Sequence, residues 1–143
     1  MIKKMENEHL DTVMELWLSG NNSGHPFIPA QHWEDSYDLV KEMLPQADIY
    51  IYEDTISIKG FIGISENSYI AGLFVSPNFQ GQGIGEKLLT YVKAHYNNLS
   101  LHVYSENNRA VTFYQKQGFT ITSESINNST GEKEYLMNFH SDQ

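Results

Sequence analysis

The chain has 143 residues, of which 40% are hydrophobic, and this is enough apolar material to form the core of one domain. Its formal net charge is −9 and no run of Lys or Arg interrupts the acidic balance, which argues against nucleic acid or an anionic membrane surface and favours a cationic substrate. The chain has no cysteine, which excludes disulfides, thiolate metal ligands and a cysteine nucleophile.

The sequence shows no sign of a domain boundary, a targeting segment or a membrane-spanning segment. There is no internal repeat, low-complexity tract or linker-like segment, so residues 1–143 are predicted to form a single domain. No apolar run approaches the length of a membrane span, and the two lysines near the N-terminus are not followed by an apolar stretch. We therefore expect a soluble, cytoplasmic protein.

The N-terminal third is predicted to be mainly helical. Residues 1–5 form a possible edge strand, and residues 6–19 form a helix because their apolar side chains recur at intervals of three and four. The segment 19–27, Ser-Gly-Asn-Asn-Ser-Gly-His-Pro-Phe, is predicted to be a loop from its Gly, Asn and Pro content. A second helix follows Pro29 and is limited by Pro45.

The middle of the chain changes from strands to a strand–helix alternation. Residues 48–52, 56–66 and 69–75 are strand-like and separated by short polar turns, which predicts a meander. A helix then begins inside a glycine cluster, since Ile84, Leu88 and Val92 lie four residues apart. Further along, the patterns predict a strand at 99–104, a helix at 107–117 that stops at Gly118, and a hairpin of 119–126 with 134–139. This order indicates an α+β fold, a mixed and mostly antiparallel sheet flanked by about four helices.

The glycine cluster is the segment Gln-Gly-Gln-Gly-Ile-Gly at residues 80–85. Free backbone N–H groups at a helix N-terminus bind phosphate oxygens, and glycines allow the ligand to come close. An isolated cluster of this kind is more often only a tight strand-to-helix turn. Its spacing fits neither the dinucleotide-binding fingerprint nor the Walker A motif.

Two longer segments favour the phosphate interpretation. Residues 73–85, LFVSPNFQGQGIG, and residues 100–119, SLHVYSENNRAVTFYQKQGF, resemble in order the signature motifs of the GNAT superfamily, the Gcn5-related N-acetyltransferases. The matched positions are Gln80, Gly83 and Gly85 in the first motif, and Asn107, Ala110, Phe113, Tyr114, Gly118 and Phe119 in the second. The Gly-His-Pro-Phe-Ile segment at 24–28, set between Trp17 and Trp33, is further similar to bacterial peptidyl-lysine N-acetyltransferases.

The resemblance implies acetyl-CoA as cosubstrate and the GNAT fold. It implies that strand backbone at Leu73, Phe74 and Val75 pairs with the pantetheine arm, and that loop N–H groups hold the pyrophosphate. The implied cofactor-binding residues beyond that strand are Gln80, Gly81, Gln82, Gly83, Ile84, Gly85, Glu86, Asn107 and Lys116, with Arg109 as a second candidate for the ribose phosphate. Many relatives have Arg at the position of Gln80, so this site would carry less positive charge.

Two catalytic residues follow from the same resemblance. Tyr114 occupies the position of the tyrosine that protonates the departing sulfur, and its alternative role is that of a core aromatic. His102 stands where peptide acetyltransferases of the family have a glutamate. A histidine that is neutral near pH 7 can take the proton of the attacking amine, but it can equally be a strand histidine satisfied by a neighbour.

The acceptor side is expected around the segment that joins the first two helices. Its candidate substrate residues are His25, Phe27 and Trp33, together with Tyr104, which shares a strand face with His102. His25 has the alternative role of a helix cap or loop residue. No histidine spacing suggests a metal, so none is expected.

The function expected from these features is transfer of acetyl from acetyl-CoA to a primary amine by direct attack in a ternary complex. Lysine side chains of proteins lead the possible acceptors. The alternatives are small cationic amines, such as polyamines or aminoglycosides, and a CoA-binding sensor without catalysis. A monomer and a homodimer paired through the last strand are both compatible with the sequence.

Overall fold

Four helices and a seven-stranded sheet make up the described part of the chain, residues 1–141 of the computed structural model. The helices are α1 (Leu10–Gly24), α2 (Ala30–Met43), α3 (Ile84–Lys93) and α4 (Asn108–Lys116). The strands are β1 (Ile2–Lys4), β2 (Asp48–Glu53), β3 (Ile58–Ser65), β4 (Tyr69–Val75), β5 (Asn98–Tyr104), β6 (Thr120–Ile126) and β7 (Lys133–His140).

The strands lie in the order β1-β2-β3-β4-β5-β7-β6. β4 and β5 run parallel, and the other neighbouring strands are antiparallel. This confirms the expected mixed, mostly antiparallel sheet with four helices. The last strand, β7, has a neighbour on each side, so its backbone is not available for pairing across a dimer as the sequence had left possible.

Each face of the sheet carries its own apolar core. The first core packs α3 and α4 on the sheet, with Leu88, Val92 and Leu101 fully or almost fully buried. The second packs α1 on β2 and β3, with Met14 and Ile51 at its centre. Because both faces are covered, the central strands read as apolar on both sides.

The predicted loop at 19–27 is wrong for its first six residues, because α1 continues to Gly24. Two local features favour the helix there. Asn21 is buried and its side-chain amide donates to the carbonyl of Trp17, one turn earlier, at 2.9 Å. Gly20 lies against the ring of Phe74, where a larger residue would not fit. The glycine that suggested a loop is thus a packing position.

Two other boundaries differ from the expectation. Residues 7–9 form a short 3-10 turn, so α1 begins at Leu10 instead of residue 6. β3 begins at Ile58 instead of residue 56, because the carboxylate of Asp54 accepts hydrogen bonds from the N–H groups of Ile56 and Ser57 and holds a turn.

β4 and β5 separate almost as soon as they meet. Their one register pair is Tyr69 with Ser100, although each strand has seven residues. β4 has an irregularity just beyond that pair. On β3, Ile64 pairs with Ile70 and its neighbour Gly63 pairs with Gly72, so Ala71 between them has no partner. Such a bulge bends and twists a strand. The result is a cleft that opens between the two parallel strands.

None of the helices within residues 1–141 has both the length and the apolar character that crossing a membrane requires.

Candidate active site

The cleft between β4 and β5 has a volume of about 890 Å³. One end is formed by the glycine loop and α4, and the other by α1, the start of α2 and β5. Of the residues expected at the site, it is lined by Leu73, Phe74, Val75, Gln80, Gly81, Gly83, Ile84, Gly85, Glu86, His102, Tyr104, Asn107, Arg109, Tyr114, Lys116, His25 and Trp33. Gln82 and Phe27 are not among the lining residues.

The glycine loop forms an open cradle at the start of α3. Gly81 and Gly83 have φ values of 81° and 80°, a backbone conformation that side chains rarely allow, and no other atom lies within 4 Å of either missing Cβ. The first helical hydrogen bond runs from the N–H of Lys87 to the carbonyl of Gly83. The N–H groups of residues 84–86 therefore have no partner within the helix, and they form the positive end of the helix dipole. This arrangement fits a pyrophosphate.

Side chains around the cradle refine the expected roles. The amide of Gln80 donates to the carbonyl of Val75 at 3.2 Å, so it supports the end of β4. The carboxylate of Glu86 accepts a hydrogen bond from Gln117 at 3.0 Å, which leaves the contribution of Glu86 to phosphate binding to its N–H group. The positively charged side chains that line the cleft are those of Arg109 and Lys116, both on α4.

Tyr114 lies on α4 with its ring packed edge-on against Phe113 and Phe119. It is buried in the core and also lines the cleft, so its position is compatible with both roles that the sequence allowed. Burial, together with the nearby Tyr69, raises the pKa of Tyr114 well above its ordinary value. The phenol therefore keeps its proton at neutral pH and has it available for donation.

His102 and Tyr104 lie on the cleft side of β5, because Leu101 and Val103 turn into the core between them. Nδ1 of His102 lies 2.7 Å from the hydroxyl of Tyr69, the first residue of β4. This bond spans the two diverging strands at the closed end of the cleft. His102 itself is exposed, whereas Tyr69 is half-buried.

An aromatic cluster stands at the end of the cleft where the acceptor is expected. The ring of His25 lies 5.0 Å from Tyr104, 5.6 Å from Trp33 and 5.8 Å from Phe27, measured between centroids. Phe27 also contacts Tyr104 edge-on, so it supports the cluster from behind the residues that line the cleft. The structure thus brings together all four residues expected on the acceptor side.

His25 connects this cluster to the second motif. The side-chain amide of Asn107 lies 3.3 Å from Nε2 of His25, while its oxygen accepts a hydrogen bond from the N–H of Ala110 and caps α4. Because an amide nitrogen only donates, Nε2 accepts and the proton of neutral His25 sits on Nδ1. Burial lowers the pKa of His25, and the carbonyl of Asn21 opposes this weakly.

The residues that line the cleft but were not predicted as site residues include Trp17, Tyr69 and Glu134. Trp17 packs edge-on against Trp33, and the sequence had used it for helix periodicity and for the family resemblance but not as a site residue. Tyr69 and Glu134 lie on different strands, and no local pattern shows that these strands meet at the cleft. Among residues 1–141, no cluster of His, Asp or Glu side chains is arranged to hold a metal ion.

A cleft between two diverging parallel strands, with a glycine cradle at one end and a buried phenol on its wall, defines an acyl-CoA-binding site. Residues 22–133 match the acetyltransferase (GNAT) domain family, and the chain belongs to that family. It is an acetyl-CoA-dependent acetyltransferase, as the motifs in its sequence indicate.

Two curated relatives from Escherichia coli K12 are similar over most of their length. The chain is 38% identical to peptidyl-lysine N-acetyltransferase YiaC over 85% of this chain and 84% of that one. It is 27% identical to peptidyl-lysine N-acetyltransferase YjaB over 96% and 93%.

Solved structures show the same fold. The solution structure of apo YjaB from Escherichia coli has a TM-score of 0.85 at 24% identity and covers 99% of this chain and 97% of that one. PaiA N-acetyltransferase from Thermoplasma acidophilum, solved in complex with coenzyme A, has a TM-score of 0.80 at 19% identity, covering 98% of each chain.

Proposed function

We propose that this acetyltransferase modifies the side-chain amino group of lysine in a protein or peptide. The observation that carries the proposal is a pair of buried hydrogen-bond donors at the acceptor end of the cleft. Within residues 1–141, Nε1 of Trp33 has no hydrogen-bond partner, and Nδ1 of His25 makes no well-formed hydrogen bond, although the backbone of Asn21 acts on that ring and partly offsets the lowering of its pKa by burial. Both residues line the cleft, and their rings are 5.6 Å apart.

These donors favour an acceptor molecule that carries carbonyl oxygens. The indole N–H can only donate, and neutral His25 donates from Nδ1 because Asn107 occupies its other nitrogen. A buried donor without a partner is costly, so a ligand is favoured if the aromatic cluster opens enough on binding for a ligand oxygen to reach the donor. A peptide offers backbone carbonyls, whereas a protonated polyamine offers only donors. The names of the relatives YiaC and YjaB support the same acceptor class.

Charge supports a cationic acceptor in general. Glu134 lines the cleft near Tyr69 and Tyr104, and its negative charge contributes to raising the pKa of both phenols, after the larger effect of burial. A carboxylate beside aromatic faces attracts an alkylammonium group. The net charge of −9 acts in the same direction at longer range.

The chemistry needs one proton removed and one supplied. Acetyl-CoA, when bound, supplies the acetyl group and the CoA thiolate that departs. The ammonium group of lysine, with an ordinary pKa near 10.4, loses a proton before it attacks, and His102 is the proposed destination of that proton. Tyr114, neutral and on the cleft wall, is the proposed donor to the departing sulfur. Cradle N–H groups at residues 84–86 and the exposed edge of β4 hold and orient the donor molecule.

The test is an assay of CoA release with a panel of lysine peptides, spermidine and an aminoglycoside. Turnover of a peptide together with loss of kcat by about 100-fold or more in Tyr114→Phe, at unchanged CoA affinity, supports the proposal. Preference for spermidine or the aminoglycoside supports the small-amine alternative. If acetyl-CoA binds and no amine is acetylated, the chain is the CoA-binding sensor that the sequence also allowed.

We also propose that the protein works in the cytoplasm, as its composition suggests. Analytical ultracentrifugation of the free protein would give its mass in solution and so distinguish a monomer from a homodimer.

A further inference from the structure

We propose that Tyr69 is the group that takes the proton from the attacking amine, and that His102 carries the proton from Tyr69 to solvent. This proposal rests on the proposed function and changes the part that His102 plays in it. His102 would be the second member of a relay and would not touch the amine.

Position carries the first part of the argument. Tyr69 stands at the single point where β4 and β5 pair, and it lines the cleft that widens from there. Its hydroxyl lies 2.7 Å from Nδ1 of His102, a residue that lines the same cleft. His102 is exposed, so the far side of its ring has access to water. The hydroxyl, the imidazole and solvent thus offer a continuous path for a proton.

Backbone conformation shows that Tyr69 is held in place. The turn before it has two consecutive non-glycine residues with positive φ, Asn67 at 64° and Ser68 at 58°. This conformation is unfavourable for a serine, and such strain persists where the surrounding structure requires it. Ser65 and Tyr69 pair across the turn, so the strained residues set the point where β4 starts.

The ionisation of Tyr69 fits a shuttle. Burial raises the pKa of Tyr69, and the charge of Glu134 raises it further. The hydroxyl is therefore protonated at neutral pH and passes a proton on only as it receives one. Of the other titratable groups, Tyr104 also acts on the charge of Tyr69, Tyr69 acts on that of Tyr114, and His25 lines the same cleft.

The proton balance is as follows. Before the attack, one proton of the acceptor ammonium moves to Oη of Tyr69, and the freed nitrogen then bonds to the acetyl carbon as the carbon–sulfur bond breaks. The hydroxyl proton of Tyr69 moves to Nδ1 of His102, and Nε2 of His102 releases its proton to water. Tyr114 protonates the sulfur, which leaves with the electron pair of its bond to carbon, and the second proton that the nitrogen loses on forming the amide returns Tyr114 to its neutral state. Exchange with solvent at the exposed ring returns His102 to its starting tautomer.

The first test is a nitrogen-detected NMR experiment on the free enzyme, which needs no turnover. The relay requires that neutral His102 carries its proton on Nε2 and accepts from Tyr69 at Nδ1. In Tyr69→Phe, we expect this tautomer preference to be lost. Observation of the proton on Nδ1 in the unmodified enzyme would overturn the relay, because Tyr69 would then be an acceptor from His102.

The second test is a double-mutant cycle on kcat/KM with one lysine peptide. Tyr69→Phe and His102→Ala are each expected to lower kcat/KM by about 100-fold, and the double variant should lose no more than either one. Both variants should lose the acidic limb of the pH profile. Tyr52→Phe, on β2 and outside the lining of the cleft, is the matched control that removes a hydroxyl without effect.

The possible outcomes separate the two proposals. If the unmodified enzyme acetylates no amine, the proposed function fails and the relay fails with it. If it acetylates the peptide but Tyr69→Phe keeps the pH profile, or the two losses multiply in the double variant, the proposed function stands and the relay alone is overturned.

Discussion

Gly20→Ala is expected to destabilise the protein although it replaces a helical glycine. A Cβ at residue 20 would lie 2.4 Å from Cδ1 of Phe74, far inside van der Waals contact. The opposite edge of the ring lies against Gly72, where a Cβ would be 2.7 Å from Cε2, so the ring has little room to move away from residue 20. Phe74 therefore occupies a niche between α1 and its own strand that only two glycines leave open.

The magnitude follows from two opposing effects. Alanine is favoured over glycine inside a helix by about 1 kcal/mol. Overpacking of a filled site costs about 1–3 kcal/mol, and a contact as short as this one belongs at the upper end of that range. The net loss is about 2 kcal/mol, which for a chain of this size lowers Tm by roughly 6 °C.

The assay is urea unfolding followed by tryptophan fluorescence, since Trp17 on α1 and Trp33 on α2 are half-buried and buried. Gly24→Ala is the matched control on the same helix, where a Cβ would meet only the amide of Asn107 at 3.7 Å, an ordinary contact. We expect this control to be as stable as the unmodified protein. If Gly20→Ala is equally stable, the close approach of α1 to Phe74 is not the reason for the glycine.

Three further predictions concern the cradle, a surface turn and the link between the motifs. Gly83→Ala forces alanine to φ near 80° and should weaken CoA binding in calorimetry by about 1–2 kcal/mol, whereas Gly131→Ala, strained at φ 74° far from the cradle, should leave binding unchanged. Asp54 has a pKa lowered by an ion pair with a lysine and by two backbone N–H groups, so its stabilisation is present above the ordinary aspartate pKa and lost as pH falls below it. The stability difference between the unmodified protein and Asp54→Asn, measured by thermal unfolding, should therefore vanish in acid; a difference independent of pH would contradict this. Asn107→Asp keeps the cap of α4 but places a carboxylate beside His25, so the pKa of His25 measured by NMR should rise; an unchanged value would show that the contact is not maintained.

The helices and strands were predicted well where the apolar residues repeat with either the helical or the strand spacing. Leu88 and Val92 marked α3, and the alternation around Leu101 and Val103 placed His102 on the cleft side of β5. The predicted loop at Gly20 was wrong. This residue has to be small because it packs against Phe74, which lies on a different secondary-structure element. A local pattern cannot distinguish a glycine that permits a turn from one that permits a close contact.

The candidate site shows the same division. The cradle was predictable because its residues are consecutive and the physics of a helix N-terminus is local. The pair of Tyr69 and His102 was not, because it depends on where β4 and β5 meet and on a bulge that follows. Glu134 enters the cleft for a similar reason, through the pairing of β7 with β5 opposite Tyr104.

The bond between His25 and Asn107 bears on how the two ends of the cleft act together. Asn107 caps α4, the helix that carries Tyr114, while His25 belongs to the aromatic cluster at the acceptor end. Since Nε2 accepts from Asn107, neutral His25 has no free lone pair for an amine, which argues against His25 as the base. If His25 were protonated, both ring nitrogens would be donors and Nε2 could no longer accept from Asn107. Burial also disfavours the charged ring. We therefore propose that His25 stays neutral and holds the segment between α1 and α2 against α4, the helix of the proposed proton donor Tyr114.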